Sequence, residues 1–186
     1  MVRLSVNLNK VALIRNARGS NLPNLVQVAK DCERFGADGI TVHPRPDQRH
    51  VRYDDIPLLR ESVTTEFNIE GNPTKEFVKM VLENPPHQCT LVPDAPDALT
   101  SDAGWDTITH ASFLEDVIAS LHEKNIRVSI FMENNKEFIH GAKEVGTDRI
   151  ELYTGPYAAN YNVNRLTAIE PFKESANYAK GLGLGL

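Results

Sequence analysis

The sequence of 186 residues lacks the features that mark several large classes of protein. It contains no run of about 18 apolar residues, so no segment is expected to span a bilayer, and residues 1–6 lack the long apolar region of a signal peptide. It has only two cysteines, Cys32 and Cys89, which we expect to be reduced core residues of a cytoplasmic protein. The formal net charge of −5 argues against a protein that coats nucleic acid or binds anionic membranes.

The motifs of common cofactor and metal sites are also missing. No GxGxxG sequence follows the first predicted strand and no GxxxxGK[ST] sequence occurs, which removes the main support for a nucleotide-binding fold. The first strand ends in Asn7-Leu8-Asn9-Lys10 instead of the His-x-His pair that a barrel metal hydrolase would need, and no Cys/His cluster has metal-site spacing. A Schiff-base role for Lys10 stays a minor alternative. We therefore do not expect a metal site.

Apolar strand-like segments alternate with amphipathic helical segments along the chain. The predicted strands are residues 2–8, 39–42, 65–69, 88–92, 127–131 and 149–153. The predicted helices lie near residues 22–35, 54–63, 74–83, 112–124, 134–145 and 164–181. Apolar strands that alternate with helices indicate parallel pairing with the helices outside. The pattern therefore favours an α/β fold, a (β/α)8 TIM barrel, over an open sheet.

Two of these helices carry start signals in the sequence. Asp54 is a candidate N-cap, and Pro57 is tolerated in the first turn that follows. Ser112 and Glu115 have the spacing of a capping box. Residues Phe113, Val117 and Leu121 then recur at helical period on one face.

Residues 1–186 are expected to form a single barrel domain that is incomplete at its C-terminus. Six strand–helix units are followed by residues 182–186, which look like the start of a seventh strand. A barrel closes only when its edge strands are paired. We therefore expect the native protein to continue by about two strand–helix units beyond Leu186, and the 186-residue chain alone not to be fully active.

Polar side chains stand at the carboxyl ends of the predicted strands, where (β/α)8 barrels build their active sites. These candidates are Asn7 with the following Asn9 and Lys10, then His43, Glu70, Thr100 and Glu151. A carboxylate such as Glu70, at the end of an apolar strand, needs a partner or a raised pKa. Glu151 should face away from both Ile150 and Leu152, and hence into the barrel. Structural roles remain open for Asn7 as a backbone partner, Thr100 as a loop hydroxyl and His43 as a core histidine.

Basic residues cluster in two loops against an acidic background. Arg45, Arg49 and His50 follow the second strand in a loop that two prolines stiffen, and guanidinium groups bind phosphate oxygens in pairs. Arg15 and Arg18 form a second cationic loop after the first strand. Two such loops suggest two anionic groups, or two phosphorylated substrates. The alternative is that these arginines pair with surface carboxylates. The residues thus favour acid–base chemistry by His and Glu on phosphorylated carbonyl compounds.

The chain resembles the family of pyridoxine 5'-phosphate synthases, the ring-closing enzymes of vitamin B6 biosynthesis. The matching segments run over essentially the whole chain: residues 6–19, GADGITVHPRPDQRH, FNIEGNP, TLVPDAPDALTSDAGWD and RIELYTGPYA. The resemblance implies a (β/α)8 barrel that condenses 3-amino-2-oxopropyl phosphate with 1-deoxy-D-xylulose 5-phosphate. The products would be pyridoxine 5'-phosphate, inorganic phosphate and water, with no metal or organic cofactor. The family also implies a homo-oligomer, an octamer.

The same resemblance assigns roles to residues. His43 and Glu70 would be proton acceptors, and Glu151 would stabilise the transition state. Contacts to the aminoketone phosphate would come from Asn7 and Arg18, and contacts to deoxyxylulose phosphate from Arg45, His50 and Thr100. Many family members have Asp-His where this chain has Asn9-Lys10, and both residues are still expected at the substrate. The family places a third catalytic histidine and glycine-rich phosphate contacts beyond Leu186.

Two other functions stay open on the residues alone. The first is another phosphosugar barrel enzyme, an isomerase or an aldolase, which would use Glu70 and His43 on a single substrate. The second is an inactive barrel fragment that only binds ligand or assembles.

Overall fold

A computed structural model describes residues 2–94 and 103–186, and the chain divides into two compact units, Met1–Cys89 and Thr90–Leu186. Strands and helices alternate within each unit, as predicted, except that two helices follow the first strand. The first unit contains β1 (Ser5–Asn7), α1 (Asn9–Ala17), α2 (Leu25–Arg34), β2 (Gly39–Val42), α3 (Asp55–Ser62), β3 (Glu66–Gly71) and α4 (Lys75–Glu83). Strand β4 (Gln88–Leu91) begins in the first unit and ends in the second. The second unit continues with α5 (Ala111–His122), β5 (Arg127–Met132), α6 (Lys136–Glu144), β6 (Arg149–Leu152) and α7 (Gly155–Gly181).

The strands of each unit pair in parallel, and neighbours follow chain order. In the first unit, Gly39 of β2 lies opposite Ser5 of β1 and opposite Glu66 of β3. In the second unit, Ser129 of β5 lies opposite Arg149 of β6. Gly185 forms a single parallel bridge to Arg149, within the segment that was predicted to start a seventh strand.

One face of the strands in the first unit carries a buried layer of polar side chains. Asn68 of β3 donates to the hydroxyl of Thr41 at 3.3 Å and accepts from the amide of Gln88 at 3.2 Å. The Thr41 hydroxyl also lies 2.8 Å from that of Ser5. Successive side chains of a strand alternate between faces, so the apolar neighbours of these residues occupy the other face. The prediction of strands that are apolar throughout is therefore wrong for this face. His43 and Glu70 follow Thr41 and Asn68, respectively, by two residues on the same face.

Three helices begin at side chains that satisfy free backbone N–H groups. Asn24 accepts from Gln27, Thr74 accepts from Phe77, and Asn135 accepts from both Glu137 and Phe138. Such caps stabilise a helix start because the first N–H groups have no partner within the helix. These caps explain why the predicted starts of α4 and α6 lie within two residues of the observed ones.

Neither of the two cap signals predicted from the sequence forms a capping hydrogen bond. Asp54 precedes α3 but its side chain makes no capping hydrogen bond. Helix α5 begins at Ala111, so Ser112 is already inside it, and its N-cap is His110. The preceding turn is organised instead by Asp106, whose carboxylate accepts from the backbone N–H groups of Ile108 and Thr109.

Two helical segments were not predicted. Helix α1 buries Ala12 together with the charged Arg15, so it lacks the apolar stripe that marks a helix in a sequence. Helix α7 joins two segments at Asn164, whose backbone is not helical, and Asn164 caps the second segment by accepting from Leu166 and Thr167. The predicted start at residue 164 is thus right for that second segment. Across residues 2–94 and 103–186, no helix combines the length and the apolar character needed to cross a membrane.

Candidate active site

The predicted catalytic pair lies at the ends of two neighbouring strands in the first unit. Val42 and Ile69 are the last residues in register between β2 and β3, and His43 and Glu70 come directly after them. The pairing therefore brings both residues to the same edge of the sheet, as the sequence predicted. Glu70 is half-buried.

A side chain from α1 holds the backbone of His43. The Oδ1 atom of Asn9 accepts a hydrogen bond from the His43 N–H at 2.8 Å, and the N–H of Asn9 in turn donates to Oδ1 of Asn7 at 2.9 Å. The three residues thus form a short chain of hydrogen bonds from the end of β1 to the end of β2. Asn9 therefore has a definite structural contact, to the backbone of His43.

The His43 imidazole is buried and surrounded by positive charge. Its exposed fraction is 7%. Burial, followed by the charges of Arg45, His50 and Arg49, lowers the pKa of His43 to about 3, and Asp47 opposes that shift. His43 is therefore neutral at physiological pH, which is the protonation state that a proton acceptor requires.

The loop after β2 gathers the positive charges that were predicted to bind an anion. Arg45 is 3% exposed, and Arg49 lies 3.6 Å from the carboxylate of Asp47. The rings of His43 and His50 are 6.1 Å apart in an edge-to-face arrangement. Burial, then Arg49 and Arg45, lowers the pKa of His50 to about 4; Asp47 opposes this shift and Lys10 adds to it. Among the described residues, the buried Nδ1 atom of His50 has no hydrogen-bond partner.

The second predicted cationic loop is not a loop, and one of its arginines is not available to an anion. Arg15 lies inside α1 and is 4% exposed. Its guanidinium donates two hydrogen bonds to the carboxylate of Asp55, at 2.6 and 2.9 Å. For Arg15 the alternative of pairing with a carboxylate is therefore correct, although the pair is largely buried. Arg18 is the C-cap of α1 and is exposed.

The two remaining predicted site residues are Thr100 and Glu151. Thr100 lies outside the described residues. Glu151 is exposed in β6 of the second unit, while Ile150 before it is buried. Although Glu151 is exposed, enough protein surrounds it for desolvation to raise the pKa of its carboxyl, and the charge of Arg149 acts in the opposite direction.

Two contacts of the loop after β2 were missed in the sequence. The side-chain amide of Asn16 donates to the backbone carbonyls of this loop, and Asp55 binds Arg15 beside it. Their partners are about 30 to 40 residues away in the chain, so no local pattern marked them. Within the described part of the chain, no three His, Cys, Asp or Glu side chains are grouped so that they could hold a metal ion.

Comparison with known proteins identifies the family of this chain. Residues 4–186 match the model of the family described as "Pyridoxal phosphate biosynthesis protein PdxJ". Among similar proteins, pyridoxine 5'-phosphate synthase of Cytophaga hutchinsonii is 57% identical and that of Phocaeicola vulgatus is 58% identical. The enzyme of the same name from Bacteroides fragilis is 54% identical. Each of these three matches covers 100% of this chain and 78% of the relative.

Solved structures with a similar backbone have distant sequences. A mandelate oxidase mutant with an FMN adduct superposes with a TM-score of 0.65 at 11% identity, over 98% of this chain and 66% of that chain. A flavocytochrome b2 variant gives a TM-score of 0.62 at 14% identity, over 98% of this chain and 50% of that chain. At such low identity the likeness concerns the fold alone. The family match confirms the predicted class, a (β/α)8 barrel, and residues 2–94 and 103–186 contain six strand–helix units of it.

Proposed function

We propose a function from one premise: this chain belongs to the PdxJ family of pyridoxal phosphate biosynthesis proteins. It catalyses the reaction of a pyridoxine 5'-phosphate synthase, joining 3-amino-2-oxopropyl phosphate and 1-deoxy-D-xylulose 5-phosphate. The products are pyridoxine 5'-phosphate, inorganic phosphate and water. The observation that carries this proposal is an identity above 50% over the entire chain to several proteins of that name.

In this proposal, His43 and Glu70 accept protons during the condensation. Ring closure with loss of water and phosphate requires repeated proton transfers, and a positioned general base contributes on the order of 10²–10⁴-fold to such steps. The neutral state of the buried His43 and the adjacency of the two strand ends support the assignment. Glu151, with its raised pKa, is proposed to stabilise the transition state.

The loop after β2, residues 45–50, is the cationic loop, and it is proposed to bind the phosphate of deoxyxylulose phosphate. The buried guanidinium of Arg45 supplies the positive charge, and the largely uncharged His50 near it is proposed to donate a ring N–H to the phosphate. Thr100 is proposed as a further contact. The aminoketone phosphate is assigned to Asn7 and Arg18. Asn9 and Lys10 are proposed at the substrate as well, and Lys10 adds positive charge close to His50.

The proposal includes no metal and no organic cofactor, since acid–base groups and bound phosphates suffice for the chemistry. It also includes a homo-oligomer, an octamer by family resemblance, which light scattering of the purified protein tests. A cytoplasmic location is supported by the two cysteines, which are both free; Cys89 is buried and Cys32 is half-buried.

The deciding experiment incubates the protein, expressed from its complete gene, with both substrates and follows pyridoxine 5'-phosphate by mass spectrometry. We expect the product only when both substrates are present, with release of inorganic phosphate. Turnover of one substrate alone would instead support a phosphosugar isomerase or aldolase. Binding of deoxyxylulose phosphate without turnover of either substrate would support a protein that only binds.

A further inference from the structure

The side-chain amide of Asn16 holds three consecutive carbonyls of the cationic loop. Its Nδ2 atom lies 3.3 Å from the carbonyl oxygen of Gln48, 3.1 Å from that of Arg49 and 2.7 Å from that of His50. An amide NH2 group has two hydrogens, so the three acceptors share them and the shortest contact, to His50, is the principal one. One side chain of α1 thus fixes the backbone of the segment that carries Arg49 and His50.

Arg15 sets the orientation of that amide. Its Nε atom donates to Oδ1 of Asn16 at 3.1 Å, and since a guanidinium only donates, the Nδ2 atom must face the loop. The remaining nitrogens of Arg15 bind Asp55, and Nη2 also lies 3.4 Å from the His50 carbonyl. Asp55 in turn accepts from the backbone N–H of Arg52 at 2.8 Å. Arg15 and Asn16, two adjacent residues of α1, therefore hold the loop by hydrogen bonds from one side.

The loop needs these stabilising hydrogen bonds for two physical reasons. Arg45 and Arg49 both carry positive charge in this loop, and like charges repel when they are desolvated. In addition, Gln48 has a φ of 50°, a left-handed conformation that costs energy for a non-glycine residue and persists only where neighbouring contacts impose it. The carbonyl of the same Gln48 is one of the three that Asn16 binds.

We propose that Asn16 is a positioning residue for phosphate binding: its amide holds the loop 45–50 in the conformation that presents Arg45 and His50 to the phosphate of deoxyxylulose phosphate. The inference rests on the proposed function for the identity of the ligand. Asn16 acts through the loop and does not itself touch the substrate. Positioning of this kind improves binding because the loop does not lose conformational freedom when the ligand arrives.

The test compares Asn16→Ala with a matched control, Asn84→Ala. Alanine is the most favourable residue inside a helix, so α1 should persist in the first variant. Asn84 lies in the same unit, and its Nδ2 atom also donates to a backbone carbonyl, that of Met80 at 3.0 Å, but it does so at the end of α4. Circular dichroism and thermal melts of both variants report whether each is folded.

We expect Asn16→Ala to raise KM for deoxyxylulose phosphate on the order of tenfold, with less than about a threefold change in KM for the aminoketone phosphate. Asn84→Ala should change neither constant by more than about threefold. The effect of Asn16→Ala should also shrink in a background that carries Arg45→Ala and His50→Ala, because a positioning residue acts through those two. Equal changes for both substrates, or additive effects in that background, would overturn the inference.

A binding measurement separates this inference from the proposed function. Calorimetry with inorganic phosphate should show affinity for the unmodified protein and a loss on the order of tenfold in Asn16→Ala. If the unmodified protein makes no pyridoxine 5'-phosphate but this loss is observed, the proposed function fails and the positioning role stands. If phosphate does not bind, or binds both proteins equally, the positioning role fails whatever the activity.

Discussion

The side-chain oxygen of Asn9 accepts a hydrogen bond from the backbone N–H of His43 at 2.8 Å. This contact joins the first residue of α1 to the first residue after β2, across 34 positions of the chain. It leaves the imidazole of His43 uninvolved and fixes only its backbone. The position of the proposed proton acceptor therefore depends on a neighbouring residue that does not itself need to transfer a proton.

Replacement of Asn9 should show whether the position of His43 depends on the side-chain oxygen of residue 9. In Asn9→Leu the His43 N–H loses its acceptor, which costs about 1–3 kcal/mol when the group is buried, and we expect turnover to fall at least about tenfold. Asn9→Asp keeps an oxygen at the same place and should retain most of the activity. Steady-state kinetics of the two variants check this. If both variants lose activity to the same degree, the acceptor oxygen is not what matters at residue 9.

The proposed proton acceptors make a more direct prediction. His43→Asn and Glu70→Gln should each leave the fold intact and lower turnover by at least about 10²-fold, as loss of a proton-transfer group does. Circular dichroism establishes folding, and product formation with both substrates gives the rate. A variant that retains near-normal turnover would remove its residue from the proposed mechanism.

Much of the fold could be predicted because local patterns determine it. Strand β2 has the predicted bounds, since four buried residues stand between a glycine-containing turn and Pro44. Helices α4 and α6 begin close to the predicted residues because Thr74 and Asn135 are caps, each followed three residues later by a phenylalanine of the helix. In these places the sequence neighbours of a residue are also its structural partners.

The remainder depends on partners that are distant in the chain. Arg15 appears in the sequence as a basic residue near a strand end, and only the fold brings it to Asp55, 40 positions later. The buried polar layer is similar, because Thr41, Asn68 and Gln88 belong to three different strands. Periodicity predicts the face on which a polar residue lies, but it does not identify the residue that satisfies it.

The lowered pKa values of the two histidines predict acid sensitivity. Both histidines have an ordinary pKa of 6.5, which the fold lowers to about 3 in His43 and about 4 in His50. Below pH 6.5 the unfolded chain therefore takes up protons that the folded state does not, so the free energy of unfolding falls as the pH drops toward 4. Urea unfolding at pH 7, 6 and 5 should show a steeper loss for the unmodified protein than for His43→Gln, by up to about 1.4 kcal/mol per pH unit. Parallel losses in the two proteins would contradict the lowered pKa of His43.

The buried polar layer beneath the site should contribute measurably to stability. Asn68 is 5% exposed and connects Thr41 to Gln88. Asn68→Leu keeps a similar volume but removes both hydrogen bonds, so the buried Thr41 and Gln88 groups each lose a partner. We expect a loss of about 1–3 kcal/mol in the free energy of unfolding, measured by urea denaturation. Ile69→Val, the adjacent residue on the other face of β3, is the control and should cost about 0.5–1.5 kcal/mol through lost packing alone. An Asn68→Leu protein at least as stable as the unmodified one would show that an apolar layer serves here equally well.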